Sequence, residues 1–349
     1  MLVYLFFIII TILFILFEKV QFIPPVYIRF FYFLILISFT GFRYQIGWDY
    51  NAYDEIIDNL RNSGLLTYDR GEFLSNILFK IVASMKSNYL FFFITSILMY
   101  GLILTTLNKY SSNYGISLIF FICFPLFFLN SLSIIRNFVA ISICFWGYQF
   151  LRKNQIFKYV ITILIATMFH KSALVAFFLI FLRKMIFSKK ISLFLLFTAM
   201  VLQNLITKLS ILEKIPTYGV YFVALQENQS TGGNKAILLL IILLLFFIFL
   251  KKKQIEKELN FYYNSVLIGV LFYITFLGFG TVAHRASLYF TIYILLALPE
   301  FLYSNRYGDL LKKYFLSIVL IASFFYIIII TLNSTEAPFL PYRTIFSKD

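Results

Sequence analysis

The chain has 349 residues, of which 61% are hydrophobic and 21% aromatic, and this composition excludes an ordinary soluble domain, in which about half of the residues are apolar. Its formal net charge is +15, but the Lys and Arg residues cluster in short segments between apolar runs, so the charge indicates membrane topology and not a nucleic-acid partner. Apolar runs of about 17–25 residues, the length of a membrane-crossing helix, recur along the chain. We therefore expect an all-α polytopic membrane protein, with residues 1–349 in a single integral membrane domain.

The apolar runs predict the membrane helices in chain order. The first run, 2–17, has no basic segment before it and no small-residue cleavage site after it, so we expect a retained span and not a signal peptide. Together with two shorter stretches the runs indicate about 10–12 transmembrane helices. The predicted spans are 2–17, 26–42, 88–107, 114–130, 133–151, 191–206, 236–250, 261–279, 286–302 and 314–332.

The basic loops set the predicted orientation, because Lys and Arg are enriched in cytoplasmic loops. The cytoplasmic loops are expected at 152–158, 183–190, 251–257 and 303–313. The outer-face segments are then 43–86, 207–235 and 333–349.

Two stretches do not fit single spans. Residues 157–182 lie between two basic loops, so we expect a re-entrant or short helix pair that reverses at 169-FHKS-172. One long tilted helix is the alternative, and it would place one of those loops outside. Residues 73–86 have apolar side chains at helical spacing and polar side chains on the other face, which predicts an outer amphipathic helix.

Three arginines, Arg43, Arg136 and Arg285, are predicted at the outer ends of membrane spans. Charged groups at membrane depth usually face a cavity and serve a function. A guanidinium pairs with phosphate oxygens through parallel hydrogen bonds, so we interpret these residues as candidate ligands of a diphosphate. An arginine that reaches back to the interface is the alternative interpretation of Arg136.

His170 and His284 are candidate general bases, because imidazole titrates near neutral pH, and Asp49 is a third candidate. A histidine that only packs between helices is the competing interpretation. Two histidines without a carboxylate cluster make a poor metal site, so we expect no metal and no cofactor.

The segment 41-GFRYQIGWDYNAYDEIID-58 is unusually rich in acids and aromatic residues. Carboxylates accept hydrogen bonds from sugar hydroxyls and aromatic rings stack on sugars, so we interpret Trp48, Tyr50, Tyr53 and Asp54 as candidate glycan-binding residues. The alternative is an interfacial aromatic belt with helix-capping acids. A carboxylate pair of the glycoside hydrolase type has no defined spacing here.

Several short segments, taken in order, resemble the EpsG/Wzy group of bacterial polysaccharide polymerases. They are 41-GFRYQIGWDYNAY-53, 72-EFLSNILFKI-81, 133-SIIRNFVAIS-142, 166-ATMFHKSALV-175, 284-HRASLYF-290 and 341-PYR-343. From these segments we add Glu72, Tyr342 and Arg343 to the candidate glycan-binding residues.

The resemblance implies an enzyme of the bacterial inner membrane that makes O-antigen, capsule or exopolysaccharide. It would transfer a growing glycan from undecaprenyl diphosphate to a sugar hydroxyl of another lipid-linked repeat unit, on the outer side. Membrane lipid, a flippase and a chain-length regulator are candidate partners. The alternatives are a lipid-linked oligosaccharide flippase and an O-antigen-ligase-like glycosyltransferase.

Overall fold

The computed structural model describes residues 2–20, 22–64, 71–124, 126–208, 257–303 and 338–347, together with parts of 238–248 and 314–326. Within these residues the chain is helical, and the extended pairing is confined to one isolated antiparallel bridge between Arg43 and Thr344. The all-α prediction is confirmed. The predicted outer loop 207–235 lies almost entirely outside the described residues, as do the basic loops at 251–256 and 304–313.

The described chain divides into two compact units, one of residues 1–174 with 320–349 and one of residues 175–319. The first unit contains ten helices that the structure describes in full, and α5 and α8 pack together at its centre. They are α1 (Leu2–Val20), α2 (Pro25–Gly41), α3 (Tyr50–Ser63), α4 (Phe73–Ser84), α5 (Tyr89–Tyr110), α6 (Tyr114–Cys123), α7 (Phe128–Ser133), α8 (Ile135–Trp146), α9 (Tyr148–Arg152) and α10 (Ile156–Thr167).

A 3-10 helix, Lys171–Phe177, crosses the division between the units, and the second unit continues from it. In the second unit α13 packs against α12 and α14, and a 3-10 turn at Leu277–Phe279 separates α13 from α14. Its helices are α11 (Phe178–Leu182), α12 (Lys189–Lys208), α13 (Lys257–Thr275), α14 (Thr281–Thr291) and α15 (Ile294–Tyr303).

Two of the described helices, α1 and α5, are long and apolar enough to cross a membrane. The bent pair Val282–Thr291 and Ile294–Leu302, with an angle of 41°, gives a third candidate if it is one span. Shorter apolar helices make up much of the rest, so several of the long spans expected from the sequence are built from two pieces.

The interruptions have local causes in the sequence. The predicted span 114–130 breaks after Cys123, where Phe124 is extended and Pro125 follows in the sequence, because the residue before a proline disfavours helical backbone. The predicted span 133–151 divides at Gly147, which lies between α8 and α9.

The predicted interruption near His170 is confirmed as a break in the helix. Helix α10 ends at Thr167, and the 3-10 helix begins at Lys171. The main-chain carbonyl of Met168 accepts hydrogen bonds from the N–H groups of Leu74 and Ser75 at 3.0 and 3.4 Å. The first N–H groups of a helix have no partner within it, so the end of α10 and the start of α4 satisfy each other. The predicted amphipathic helix 73–86 is thus α4, and its first turn abuts the break.

The C-terminal segment 338–347 lies against the loop that follows α2. The N–H of Tyr44 donates to the carbonyl of Arg343 at 2.9 Å, and the N–H of Gly47 donates to that of Pro338 at 2.7 Å. The Tyr342 ring stacks on Phe39 with 4.5 Å between centroids. These contacts fix the loop that leads from α2 into α3.

Candidate functional site

Arg136 lies in the first turn of α8 and is held by an ion pair with Glu72, which directly precedes α4. The distance from Arg136 Nη1 to Glu72 Oε2 is 2.5 Å, and the two side chains are 10% and 3% exposed. The guanidinium carbon lies 5.6 Å from the ring centre of Tyr53 and 6.0 Å from that of Phe79. The cation is therefore buried between a carboxylate and two aromatic faces, the setting in which ion pairing and cation–π attraction are strongest.

Glu72 also connects Arg136 to the broken helix. Its other oxygen accepts a hydrogen bond from the main-chain N–H of Lys171 at 3.3 Å, while the Lys171 side chain is exposed. Asp49, which precedes α3, is half-buried and interacts electrostatically with Arg136. Two candidates from the sequence, Arg136 and Asp49, thus belong to one electrostatic group.

His170 stands in the break and contacts a neighbouring pair of polar side chains. Its Nδ1 lies 2.7 Å from the Ser172 Oγ and 3.4 Å from the Asn137 Nδ2, and Asn137 donates to the Ser172 Oγ at 2.7 Å. Asn137 follows Arg136 in α8, and Lys171, whose main-chain N–H bonds to Glu72, follows His170, so adjacent residues link the histidine to the buried ion pair. We call Glu72, Arg136, Asn137, His170 and Ser172 the Arg136–His170 cluster.

Arg43 is fully buried and contacts main-chain groups. Its guanidinium donates to the carbonyls of Thr40, Ile46 and Leu132, the last at 3.2 Å, and lies over the Phe92 ring at 5.0 Å. Burial lowers the pKa of this guanidinium, since desolvation disfavours its charged form. Arg43 therefore holds the loop between α2 and α3 to the end of α7, and its contact with a diphosphate stays a prediction.

The candidate glycan-binding residues divide by exposure. Trp48, at 65%, and Arg343 are exposed, so their side chains reach solvent beside the C-terminal segment. Asp54 and Tyr342 are half-buried. Tyr50, Tyr53 and Glu72 are buried, and the Tyr50 ring stacks on Phe92 with 4.0 Å between centroids. The exposed pair is the part of this set that is accessible to a glycan.

His284 and Arg285 belong to the second unit, in the second turn of α14. The helix follows Gly280, whose φ of +49° lies in the left-handed region that favours glycine, as expected from the Gly-rich sequence here. Both side chains are half-buried, and the His284 ring meets the Tyr273 ring of α13 edge-on at 6.2 Å. Their proposed roles stay predictions.

Sequence reasoning gave no role to Asn137 or Ser172. The signal was present: Asn137 is a polar side chain, 1% exposed, in an apolar helix and next to a candidate arginine. Ser172 lies two residues after a candidate histidine. Buried polar groups need hydrogen-bond partners, and the side chains of Asn137 and Ser172 both contact His170.

The fold and the cluster together define a class: an all-α membrane protein with a buried arginine–carboxylate pair beside a hydrogen-bonded histidine at a helix break. The chain belongs to the EpsG family, which matches residues 26–344. Members of this family are Wzy-like polysaccharide polymerases, so glycan polymerisation is the general type of function of this chain. No curated protein and no solved structure matches the chain significantly.

Proposed function

We propose that this protein transfers a growing glycan from undecaprenyl diphosphate to a sugar hydroxyl of another lipid-linked repeat unit. The reaction would take place at the outer side of the bacterial inner membrane. Family membership supports glycan polymerisation, and the observation that carries the finer proposal is the buried Arg136 guanidinium within the Arg136–His170 cluster.

The proposed donor leaves as a diphosphate, so the site needs a group that binds phosphate oxygens and stabilises the leaving charge. A guanidinium carries five N–H donors in a fixed fork; Glu72 accepts from Nη1, and the Tyr53 side chain is a second hydrogen-bond partner of Arg136. Glu72 orients that fork, and its other oxygen accepts a hydrogen bond from the main-chain N–H of Lys171, whose side chain is exposed. Arg285 is the second proposed diphosphate ligand.

In the proposed step, the acceptor hydroxyl oxygen attacks the anomeric carbon of the growing chain and forms the new glycosidic bond. The bond from that carbon to the diphosphate oxygen breaks, with inversion, and the diphosphate leaves with the electron pair. The hydroxyl proton goes to a general base, for which Asp49, His170 and His284 are the candidates. Trp48 and Arg343 are proposed to contact the glycan.

The proposal is tested in cells by comparing the length of the polysaccharide made by Arg136→Lys, Arg285→Lys and a matched control. Arg61→Lys is the control, because Arg61 lies in the same unit as Arg136 but pairs with Asp58 on a partly exposed helix face. We expect short chains from the first two variants and normal chains from the control. Normal long chains from both Arg136→Lys and Arg285→Lys, at normal protein levels, would remove the diphosphate-binding role.

A flippase and an O-antigen-ligase-like transferase would give other outcomes. Purified protein that lengthens glycans in detergent, where there is no second compartment, decides for the polymerase against the flippase. Transfer to an acceptor that is not a lipid-linked repeat unit would indicate a ligase. A flippase and a chain-length regulator are the proposed protein partners in the membrane.

A further inference from the structure

The hydrogen bonds around His170 determine which of its ring nitrogens carries a proton. Three groups converge on Nδ1: the main-chain N–H of Ser172 at 3.3 Å, the Ser172 Oγ at 2.7 Å and the Asn137 Nδ2 at 3.4 Å. A main-chain N–H can only donate, so Nδ1 accepts from it. The Asn137 amide also donates to the Ser172 Oγ at 2.7 Å, which directs the hydroxyl hydrogen toward Nδ1.

A neutral imidazole has one protonated and one unprotonated nitrogen. Because Nδ1 is the acceptor, the proton is on Nε2. A second proton, on Nδ1, would point at the Ser172 N–H and at the Asn137 amide, so this arrangement disfavours the imidazolium that a general base must become. The Asn137 side chain is 1% exposed and lies in a helix, so its position is set by the packing of α8.

We infer that Asn137 and Ser172 are positioning residues that hold His170 as its Nε2–H tautomer, so that His170 donates a hydrogen bond to a substrate oxygen and does not take the acceptor proton. The identity of the substrate in this inference rests on the proposed function, whereas the assignment of the tautomer does not depend on it. No proton moves at His170 in this account. The candidate bases are then Asp49 and His284, and Asp49 is the one that shares the electrostatic group of Arg136.

The tautomer is tested directly with the full chain, purified in detergent and labelled with ¹⁵N-histidine, since the imidazole ¹⁵N shifts distinguish the two tautomers. His170→Ala assigns the signals by their loss. We expect the Nε2–H pattern for His170 in the wild type and a mixed or protonated pattern in Asn137→Ala and Ser172→Ala. Ser142→Ala is the matched control, because the buried Ser142 hydroxyl, also in α8, bonds to the Phe138 carbonyl. A Nδ1–H pattern in the wild type, or no change in either variant, would overturn the inference.

The donor role is tested with His170→Gln, His170→Asn and His170→Ala in the glycan-lengthening assay. A Gln amide places an N–H near the position of Nε2–H but cannot accept a proton at neutral pH, whereas an Asn amide replaces Nδ1. We expect His170→Gln to keep activity within about 10-fold of the wild type, while His170→Ala loses about 100-fold, as for removal of a hydrogen-bond donor from a transition state. Equal losses in His170→Gln and His170→Ala, at normal protein levels, would assign His170 as the base.

The two experiments separate the two claims. If wild-type protein lengthens no glycan, the proposed function fails, and the ¹⁵N pattern still decides whether Asn137 and Ser172 set the tautomer.

Discussion

Removal of one partner from the buried ion pair between Arg136 and Glu72 is predicted to destabilise the first unit strongly. The two side chains are 10% and 3% exposed, so removal of either one leaves a buried charge without its partner. The loss of one partner lowers the free energy of unfolding by about 3–5 kcal/mol. We expect a decrease of this size for Arg136→Met, which keeps apolar contact with Tyr53 and Phe79. We expect Glu72→Gln to cost about 1.5–3 kcal/mol, because the amide can still accept a hydrogen bond but lacks the charge.

The double variant Arg136→Met/Glu72→Gln distinguishes pairing from two independent effects. Because no buried charge remains in it, we expect it to be more stable than the sum of the single losses predicts, by more than about 1 kcal/mol. Unfolding in mixed micelles of increasing SDS content, followed by tryptophan fluorescence, measures these differences. Both tryptophans, Trp48 and Trp146, lie in the first unit.

The control for this series is Arg61→Met, which breaks the pair with Asp58. Those side chains are 27% and 51% exposed, so we expect a loss of about 1 kcal/mol or less. The reasoning is refuted if Arg136→Met costs no more than Arg61→Met, or if the two single losses simply add.

Three further predictions concern the first unit around the loop between α2 and α3. Gly47→Ala should lower the free energy of unfolding by more than about 2 kcal/mol, since φ is +105° and a Cβ would lie 2.2 Å from the Leu132 carbonyl oxygen. Gly64→Ala should lower it by only about 1 kcal/mol, since φ is +68° and a Cβ there would have no atom within 4 Å. Equal losses for the two variants in the SDS titration would contradict the account. Arg43→Met should lower the free energy of unfolding by more than about 3 kcal/mol in the same titration, because three main-chain carbonyls each lose a hydrogen-bond donor. Deletion of 338–349 should lower the amount of folded protein in membranes, measured by detergent-stable size-exclusion profiles of a fluorescent fusion, and an unchanged profile would refute the role of this segment.

The helices were largely predictable from the sequence, because the length of an apolar run is set directly by the membrane. Helices α1, α2 and α5 begin and end within about three residues of the predicted spans, and α4 lies where the apolar spacing predicted an amphipathic helix. The breaks after Cys123 and at Gly147 were missed, although Pro125 and Gly147 mark them. Apolar composition continues through both places. A proline follows the first break, whereas Gly147 keeps helical backbone angles and lies where Tyr159 and Thr162 of α10 approach closely.

Three members of the Arg136–His170 cluster, Glu72, Arg136 and His170, were candidates from the sequence, but their pairings and the two other members were not predicted. Arg136 and His170 stand out because charged or titratable groups are rare at membrane depth. The partner of Arg136 lies 64 positions away in the sequence, and nothing in the segment around Glu72 indicates that this carboxylate contacts α8. Arg43 shows the same difficulty, since a sequence cannot distinguish an arginine that binds carbonyls from one that binds phosphate.

The central claim is tested most directly by incubating the purified protein, in detergent, with the lipid-linked glycan fraction extracted from cells that lack this gene. Product length is read on a gel. The account predicts a ladder of longer glycans from wild-type protein and from Arg61→Lys, and little or no lengthening by Arg136→Lys. No lengthening by wild-type protein, or equal ladders from wild type and Arg136→Lys, would contradict it.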